Sequence, residues 1–237
     1  MELLLFPTVI STQATARELF EKGQTLPFAV VAETQSGGRG RSGKQWMSPA
    51  GGLWFTLART VPPVCSFRQV AIVAAYSLAR VICRTTGLQP AIKWPNDILI
   101  RNRKVSGILA EALIMENRTV LFLGIGLNIN NTPSPEHLPR ATSLAQELGR
   151  TLDLPDLRAA VLAAVAHDLD VFGADGFEQF LPWIQENLAL LGKEVTVTFN
   201  TQRLCGRVRG IAKTGALLLE QQDTSLVEVD AGSIYNW

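Results

Sequence analysis

Between Gly37 and Trp46 the sequence reads GGRGRSGKQW, a loop of glycine and serine carrying Arg39, Arg41 and Lys44. The chemistry of that combination is anion binding. Gly38 to Gly43 satisfies G-x-G-x-x-G and Gly38 to Lys44 satisfies G-x-x-x-x-G-K, two phosphate-binding patterns. Both need a helix to start where the loop ends, because its N-terminal amides hold the phosphate. Here Pro49, Gly51 and Gly52 fall inside the first turns of any such helix. Gln45 stands where the second pattern needs Ser or Thr for magnesium, and residues 58–66 hold no acidic side chain for a ribose. Neither fingerprint fits. Two readings survive: a solvated surface hairpin, since glycine and arginine both suit loops, or a lid that closes over an acid. A lid with two guanidinium forks makes sense where an activated acid must be kept from water.

Three further segments put polar groups at strand ends. KWPND (93–97) sets Lys93 before a turn exposing Asn96 and Asp97, although an ordinary Asx turn reads the same way. RKVSGILAE (103–111) starts an otherwise apolar strand with Lys104, where a cation is commonly just solvated. GIGLN (124–128) ends a strand with glycines, which suits either a tight bend or the close approach of a ligand. His137 and His167 fall in a loop and a helix away from these motifs. Cys65, Cys83 and Cys205 are too few and too widely spaced for a metal cluster or a disulfide framework.

The elements that must position these groups follow from periodicity and punctuation. TARELFEKG, after Ser11 and Thr12, predicts a short amphipathic helix ended by Gly23, and PFAVVAET (27–34) a buried strand leading into the loop. GGLWFTLAR (51–59) is a second strand. Ser66 and Gln69 form a capping box ahead of a long helix, FRQVAIVAAYSLARVICRTT, stopped at Gly87. AIKW, DILIR, KVSGILAEALIM and TVLFLGIGLNIN then read as strands. Helices follow near 142–149, 156–173 and 176–190, the last interrupted by Pro182. After Gly192 the short alternating strands EVTVTF, LCGRVRGI, GALLLE and SLVEVD predict a small barrel. The expected organisation is an α+β unit over 1–188 and a small all-β unit over 189–237.

The 237 residues are 47% apolar and 18% charged, with net charge +1, the composition of a globular protein with a substantial core. Near neutrality gives no footprint for nucleic acid. MELLLFPTVI has Glu2 where a leader needs basic residues and Pro7 too early, and charges punctuate every long apolar stretch. A cytoplasmic protein with no membrane or nucleic-acid partner is expected.

In order and spacing, ST (11–12), GRGRSG (38–43), KWPND (93–97), RKVSGILAE (103–111) and GIGLN (124–128) resemble the biotin–protein ligase family. LGKEVTVTF with GALLLE is similar to that family's C-terminal domain. The resemblance implies a mixed β-sheet flanked by helices, like that of class II aminoacyl-tRNA synthetases, followed by a Src-homology-3-like barrel. It implies ATP-dependent adenylation of biotin to biotinyl-5′-AMP, then transfer to one lysine of a biotin carboxyl carrier protein. ATP, Mg2+ and biotin enter as substrates and ion, with no prosthetic group and no protein-held metal.

Carried over residue by residue, the resemblance gives catalysis to Lys104, Arg39 and Arg41. Arg39 and Lys104 would neutralise charge where the carboxylate meets the α-phosphate, and Arg41 would retain the adenylate. Biotin would be held by Ser11, Thr12, Gln13, Gln35, Gly38, Gly40, Trp54, Gly107 and Gly124 together with those three cations. The nucleotide would meet Arg41, Trp46, Asn96, Asp97 and Asn128. Trp46 reads equally well as core, and Gln13 stands where the family commonly has Asn. Asp97 is a candidate to assist transfer. The motifs begin at residue 11, so the form expected is one without the N-terminal DNA-binding domain that some members carry, as a monomer or weak homodimer. A lipoate or octanoate ligase or transferase on the same scaffold, and a non-catalytic biotin sensor, are the alternatives.

Overall fold

The computed structural model describes residues 1–62, 66–133, 140–199 and 202–234, and only the backbone of Gln202. Cys65 and His137 lie outside the described residues. Seven strands make the main sheet: β1 (Glu2–Val9), β2 (Phe28–Gln35), β3 (Leu53–Val61), β4 (Pro90–Lys93), β5 (Asp97–Ile100), β6 (Arg103–Ile114) and β7 (Thr119–Leu127). Their order is β1-β2-β3-β7-β6-β5-β4, with β1 and β2 parallel and every other neighbouring pair antiparallel. This is the mixed sheet the resemblance implies. Strand β1 has no counterpart among the sequence-based expectations. Its Pro7 is tolerated because β1 is an edge, where one side of the strand needs no ladder.

Helix α1 (Thr12–Glu21) covers one face, and α2 (Phe67–Thr86) packs with α4 (Leu154–Asp175) on the other. The Ser66 hydroxyl caps α2 by accepting from the Gln69 N–H, and Gly87 ends it in the left-handed conformation at φ 75°. Short α3 (Leu144–Leu148) carries the full reciprocal capping box, Ser143 with Gln146. The stretch 176–190 is not one interrupted helix. It resolves into a 3-10 turn, Glu178–Phe180, and α5 (Leu181–Glu186), with Pro182 in the first turn, where its missing N–H costs nothing.

Strand alternation divides the labour along β7. Leu121, Leu123, Ile125 and Leu127 point into the main core with Leu78 and Val161. Val120 and Phe122 point the other way, against Phe28, Val30, Ala58 and Ala16 of α1. Burying a side chain such as Phe122 stabilises the fold by about 1.5–3 kcal/mol. The next two residues on that second face are Gly124 and Gly126. Gly126 pairs with Gly107 on β6 and Trp54 on β3, and Gly124 with Thr56. The face that α1 fills at one end therefore carries no side chain from β7 at the other, and a cavity opens there.

A second sheet holds β8 (Glu194–Phe199), β9 (Gln202–Ile211), β10 (Leu217–Glu220), β11 (Leu226–Val229) and β12 (Ser233–Ile234), antiparallel in the order β11-β10-β9-β8-β12. This separate antiparallel sheet stands where the small all-β unit is expected, with β11 and β12 at its ends among the described residues. It is tied to the main unit. Trp94 Nε1 donates to Gly215 O at 3.0 Å, Gln185 Nε2 donates to Ile211 O at 2.8 Å, and Arg68 pairs with Asp230 at 2.7 Å. No helix among the described residues is long and apolar enough to cross a membrane.

Candidate active site

The cavity on the α1 face has a volume of about 630 Å³. Its neutral end is built where β1 gives way to α1 and where β2 ends. The Thr12 N–H donates to Gln35 Oε1 at 2.7 Å, and Gln35 Nε2 donates to Ser48 Oγ at 2.7 Å. Thr56 Oγ1 lies 2.9 Å from both Thr12 Oγ1 and Gln13 Oε1. Gln13 Nε2 donates to Phe122 O at 2.9 Å and to Glu111 Oε2 at 3.2 Å. Both amide donors of Gln13 and one of its acceptor positions are thus spent on the protein itself. The longer side chain reaches the sheet and braces the cavity wall. A Cβ on Gly124 would stand 2.7 Å from Gln13 Oε1, so glycine is what keeps this end open.

The other end is cationic. Lys104 Nζ lies 2.6 Å from Asp97 Oδ1 and 5.1 Å from the Trp46 ring centroid. Lys93 faces Asp97 across the β4–β5 hairpin. Burial pushes the Lys93 ammonium below its usual pKa of 10.5; Asp97 opposes this, while Lys104, Arg140 and Lys44 add to it. Arg140 arrives by backbone pairing. The Lys104 N–H donates to Arg140 O at 2.6 Å, and the Thr142 N–H to Lys104 O at 2.9 Å. Among the described residues, Asp97 is the only carboxylate lining the cavity, and no three His, Cys, Asp or Glu side chains converge on a metal-sized site.

The glycine-rich loop forms a short hairpin. Arg39 bridges to Gln45, the Gly40 N–H donates to Lys44 O at 2.7 Å, and Arg41–Gly43 makes one 3-10 turn. No α-helix follows it, which removes both phosphate-loop readings. Arg41 Nη1 donates to Asn96 Oδ1 at 2.9 Å and Nη2 to Gly232 O at 3.1 Å, joining the loop to the KWPND turn and to the second sheet. Ser233 and Ile234 of β12 line the cavity there. Trp46 lies on the Gly107–Gly126 pair so closely that a Cβ on Gly126 would overlap the indole. Its Nε1 is buried without an acceptor among the described residues.

Of the residues expected at the site, Ser11, Thr12, Gln13, Gln35, Arg39, Gly40, Arg41, Trp46, Asn96, Asp97, Lys104, Gly107, Gly124 and Asn128 all line this one cavity. Gly38 and Trp54 do not. Trp54 is fully buried, donates to Pro49 O at 3.0 Å and packs edge-on behind Trp46, which lines the cavity. Gly38 is buried in the hairpin, where a Cβ would come 2.9 Å from Ser48 Oγ. Asn128 is turned inward, donating to Thr142 O and accepting from Asn131 Nδ2. Asn96 is spent between Arg41 and Ile108 O. Sequence reasoning left out Lys44, Lys93 and Arg140 as site residues. KWPND itself contained the sign for Lys93; nothing local marks Arg140.

One cavity thus carries a neutral, hydrogen-bonding end and a cationic end, an arrangement able to hold an uncharged group that bears an anion. The model of the Biotin/lipoate A/B protein ligase family matches residues 5–130, and that of the Biotin protein ligase C terminal domain matches 190–237. The chain is 34% identical over 229 residues to the bifunctional ligase/repressor BirA of Bacillus subtilis, covering 93% of this chain and 70% of that one. It is 33% identical over 224 residues to the biotin–[acetyl-CoA-carboxylase] ligase of Paracoccus denitrificans, covering 88% and 90%. The Aquifex aeolicus biotin protein ligase solved with biotin and ATP superposes with a TM-score of 0.87 at 29% identity, covering 99% of this chain and 97% of that one. The chain belongs to the biotin/lipoate A/B protein ligase family, on its biotin protein ligase branch, and is an enzyme.

Proposed function

We propose that the chain adenylates biotin with ATP and passes the biotinyl group to a lysine of a biotin carboxyl carrier protein, the acceptor subunit or domain of a biotin-dependent carboxylase. One observation carries this reading: the neutral pocket and the cationic pocket are one cavity, so a ring held at Thr12, Gln35 and Gly124 can project its carboxylate to Lys104. The biotin carboxylate attacks the α-phosphorus of ATP, and two negative groups are forced together. Lys104 and Arg39 offset that charge in a site partly withdrawn from water. Magnesium enters with ATP as the counter-ion of its phosphates.

In the second step the acceptor amine attacks the acyl carbonyl and AMP leaves. The mixed anhydride is already a good electrophile, so alignment supplies most of what the chain must add. Asp97, the one carboxylate lining the cavity among the described residues, is positioned to take the amine proton once phosphate has drawn Lys104 away from it. Arg41 holds the lid down over the intermediate through Asn96 and Gly232. The catalytic unit is taken as 1–188 and the C-terminal unit as 189–237, whose β12 closes the nucleotide end.

The experiment is label transfer. With ATP, magnesium and labelled biotin, the protein is expected to label a carrier domain only if its acceptor lysine is present. Biotin binding without transfer would favour a sensor, and equal transfer of lipoate would favour the other branch of the family.

A further inference from the structure

We propose that Glu147 is a positioning residue for Lys104, a role that rests on the adenylation reading above. The Glu147 side chain has no exposed surface, yet it does not line the cavity and the reaction does not call on it. What it holds are the two segments that flank Lys104. Arg103 Nη2 lies 2.6 Å from Glu147 Oε1, and the Thr142 hydroxyl donates to the same oxygen at 2.7 Å. Arg101 Nη1 stands 3.4 Å from Oε2. Arg101 and Asn102 form the β5–β6 turn at φ 49° and 61°, a left-handed conformation that suits Asn and strains Arg. An arginine in that place reaches Glu147.

Lys104 needs such support because its backbone lies outside a regular ladder. The β5–β6 register shifts between Ile98 and Leu99, which leaves Val105 as an extra residue beside Lys104. Bulges of this kind re-aim side chains next to active sites. On the other flank β7 ends at Leu127, and the strip 140–142 takes its place: the Lys104 N–H donates to Arg140 O, and the Thr142 N–H to Lys104 O. Glu147 therefore closes a ring through Arg103, the Lys104 backbone and Thr142. Successive side chains of a strand leave on opposite faces. Arg103 anchored to Glu147 turns Lys104 into the cavity, where its Nζ lies 2.6 Å from Asp97. Glu147 is held in turn by α3, whose capping box fixes its first turn. A buried carboxylate is costly unless paired, and the partners of this one among the described residues all lie in the segments flanking Lys104.

The test is a double-mutant cycle on the full chain, read as the single-turnover rate of biotinyl-5′-AMP formation. Glu147→Gln keeps the shape and an acceptor for Thr142 but releases Arg103. Its rate should fall roughly thirtyfold, within the cost of a small misplacement of a reacting group, while the KM for biotin moves by less than about twofold. In the Lys104→Ala background the same substitution should cost no more than about twofold further, because the group it positions is gone. Arg103→Met, at a half-exposed position, should reproduce part of the loss, and Arg103→Lys should recover some of it. These two carry the test if Glu147→Gln does not fold. Unchanged rates in Glu147→Gln and Arg103→Met would overturn the assignment while leaving adenylation standing. An equal loss with and without Lys104, or a parallel rise in the KM for biotin, would also overturn it, as the mark of a purely structural group. No adenylate from wild type would remove the adenylation reading and the role of Glu147 with it.

Discussion

The two ends of the cavity are finished to different degrees. At the neutral end Thr12, Gln13, Gln35, Ser48 and Thr56 satisfy one another through contacts of 2.7 to 2.9 Å, and the wall stands complete without a ligand. At the cationic end Lys44, Lys93, Lys104 and Arg140 line the cavity with Asp97, its one carboxylate among the described residues, and the Trp46 indole N–H is buried without an acceptor among those residues. The first arrangement stabilises the fold and selects shape. The second gathers cations from separate segments, an arrangement that would favour an arriving anion and charge that develops in the reaction. The proposed function places ring recognition at the first end and the chemistry at the second.

That division can be broken in order of expected effect. Lys104→Ala should slow adenylate formation by roughly a thousandfold in a single-turnover measurement, with biotin affinity changed far less. A loss under tenfold would end the assignment of chemistry to the cationic end. Arg41→Gly removes both bonds that join the lid to Asn96 and Gly232. Biotinyl-5′-AMP should then escape about tenfold faster, by the usual worth of hydrogen bonds to a charged group, and label bystander lysines. Equal retention by wild type and variant would refute the latch. Gly124→Ala places a Cβ 2.7 Å from Gln13 Oε1 and should raise the KM for biotin by about fivefold with kcat nearly held. A change in kcat alone would move the neutral end into the chemistry.

The smallest effect sharpens the comparison through pH. A phosphate in the cavity would meet Lys93 as the ammonium, and burial lowers its pKa from 10.5, with Lys104, Arg140 and Lys44 in support and Asp97 opposed. As pH rises through that lowered value, and before 10.5, the charge is lost and the KM for ATP should rise by about two- to threefold, as for one partly screened contact. Stability should move the other way. The buried charge costs the folded state while protonated, so the unfolded chain holds the extra proton in this window and stability increases with pH. Lys93→Arg should flatten the ATP profile; an unaltered profile would remove Lys93 from the phosphate site.

Much of this layout was legible because its causes are local. Ser66 and Gly87 delimit α2 by capping alone, and the glycines of GIGLN signal a strand end suited to a bend or a close approach. What escaped was set by pairing between distant segments. Pro7 and Glu2 disguise β1, which exists because β2 offers it an edge. Arg140 is brought beside Lys104 by a backbone bond between segments far apart in sequence. That Trp46 rather than Trp54 lines the cavity depends on strand register, which sets Trp54 beside Gly126 and leaves room for the lid's indole above. Gln13 turns inward for a reason of length: one more methylene than Asn carries its amide to Phe122 O.

The central claim is that one cavity positions a biotin acyl group and a nucleotide phosphate against Lys104. Crystals of the full chain with a non-hydrolysable analogue of biotinyl-5′-AMP test it most directly. The expected result has the ureido ring beside Thr12 and Gly124, and the acyl phosphate on Lys104 with its 2.6 Å pair to Asp97 opened. The contrary result is an analogue bound elsewhere, or one seated in the cavity while Lys104 and Asp97 remain joined.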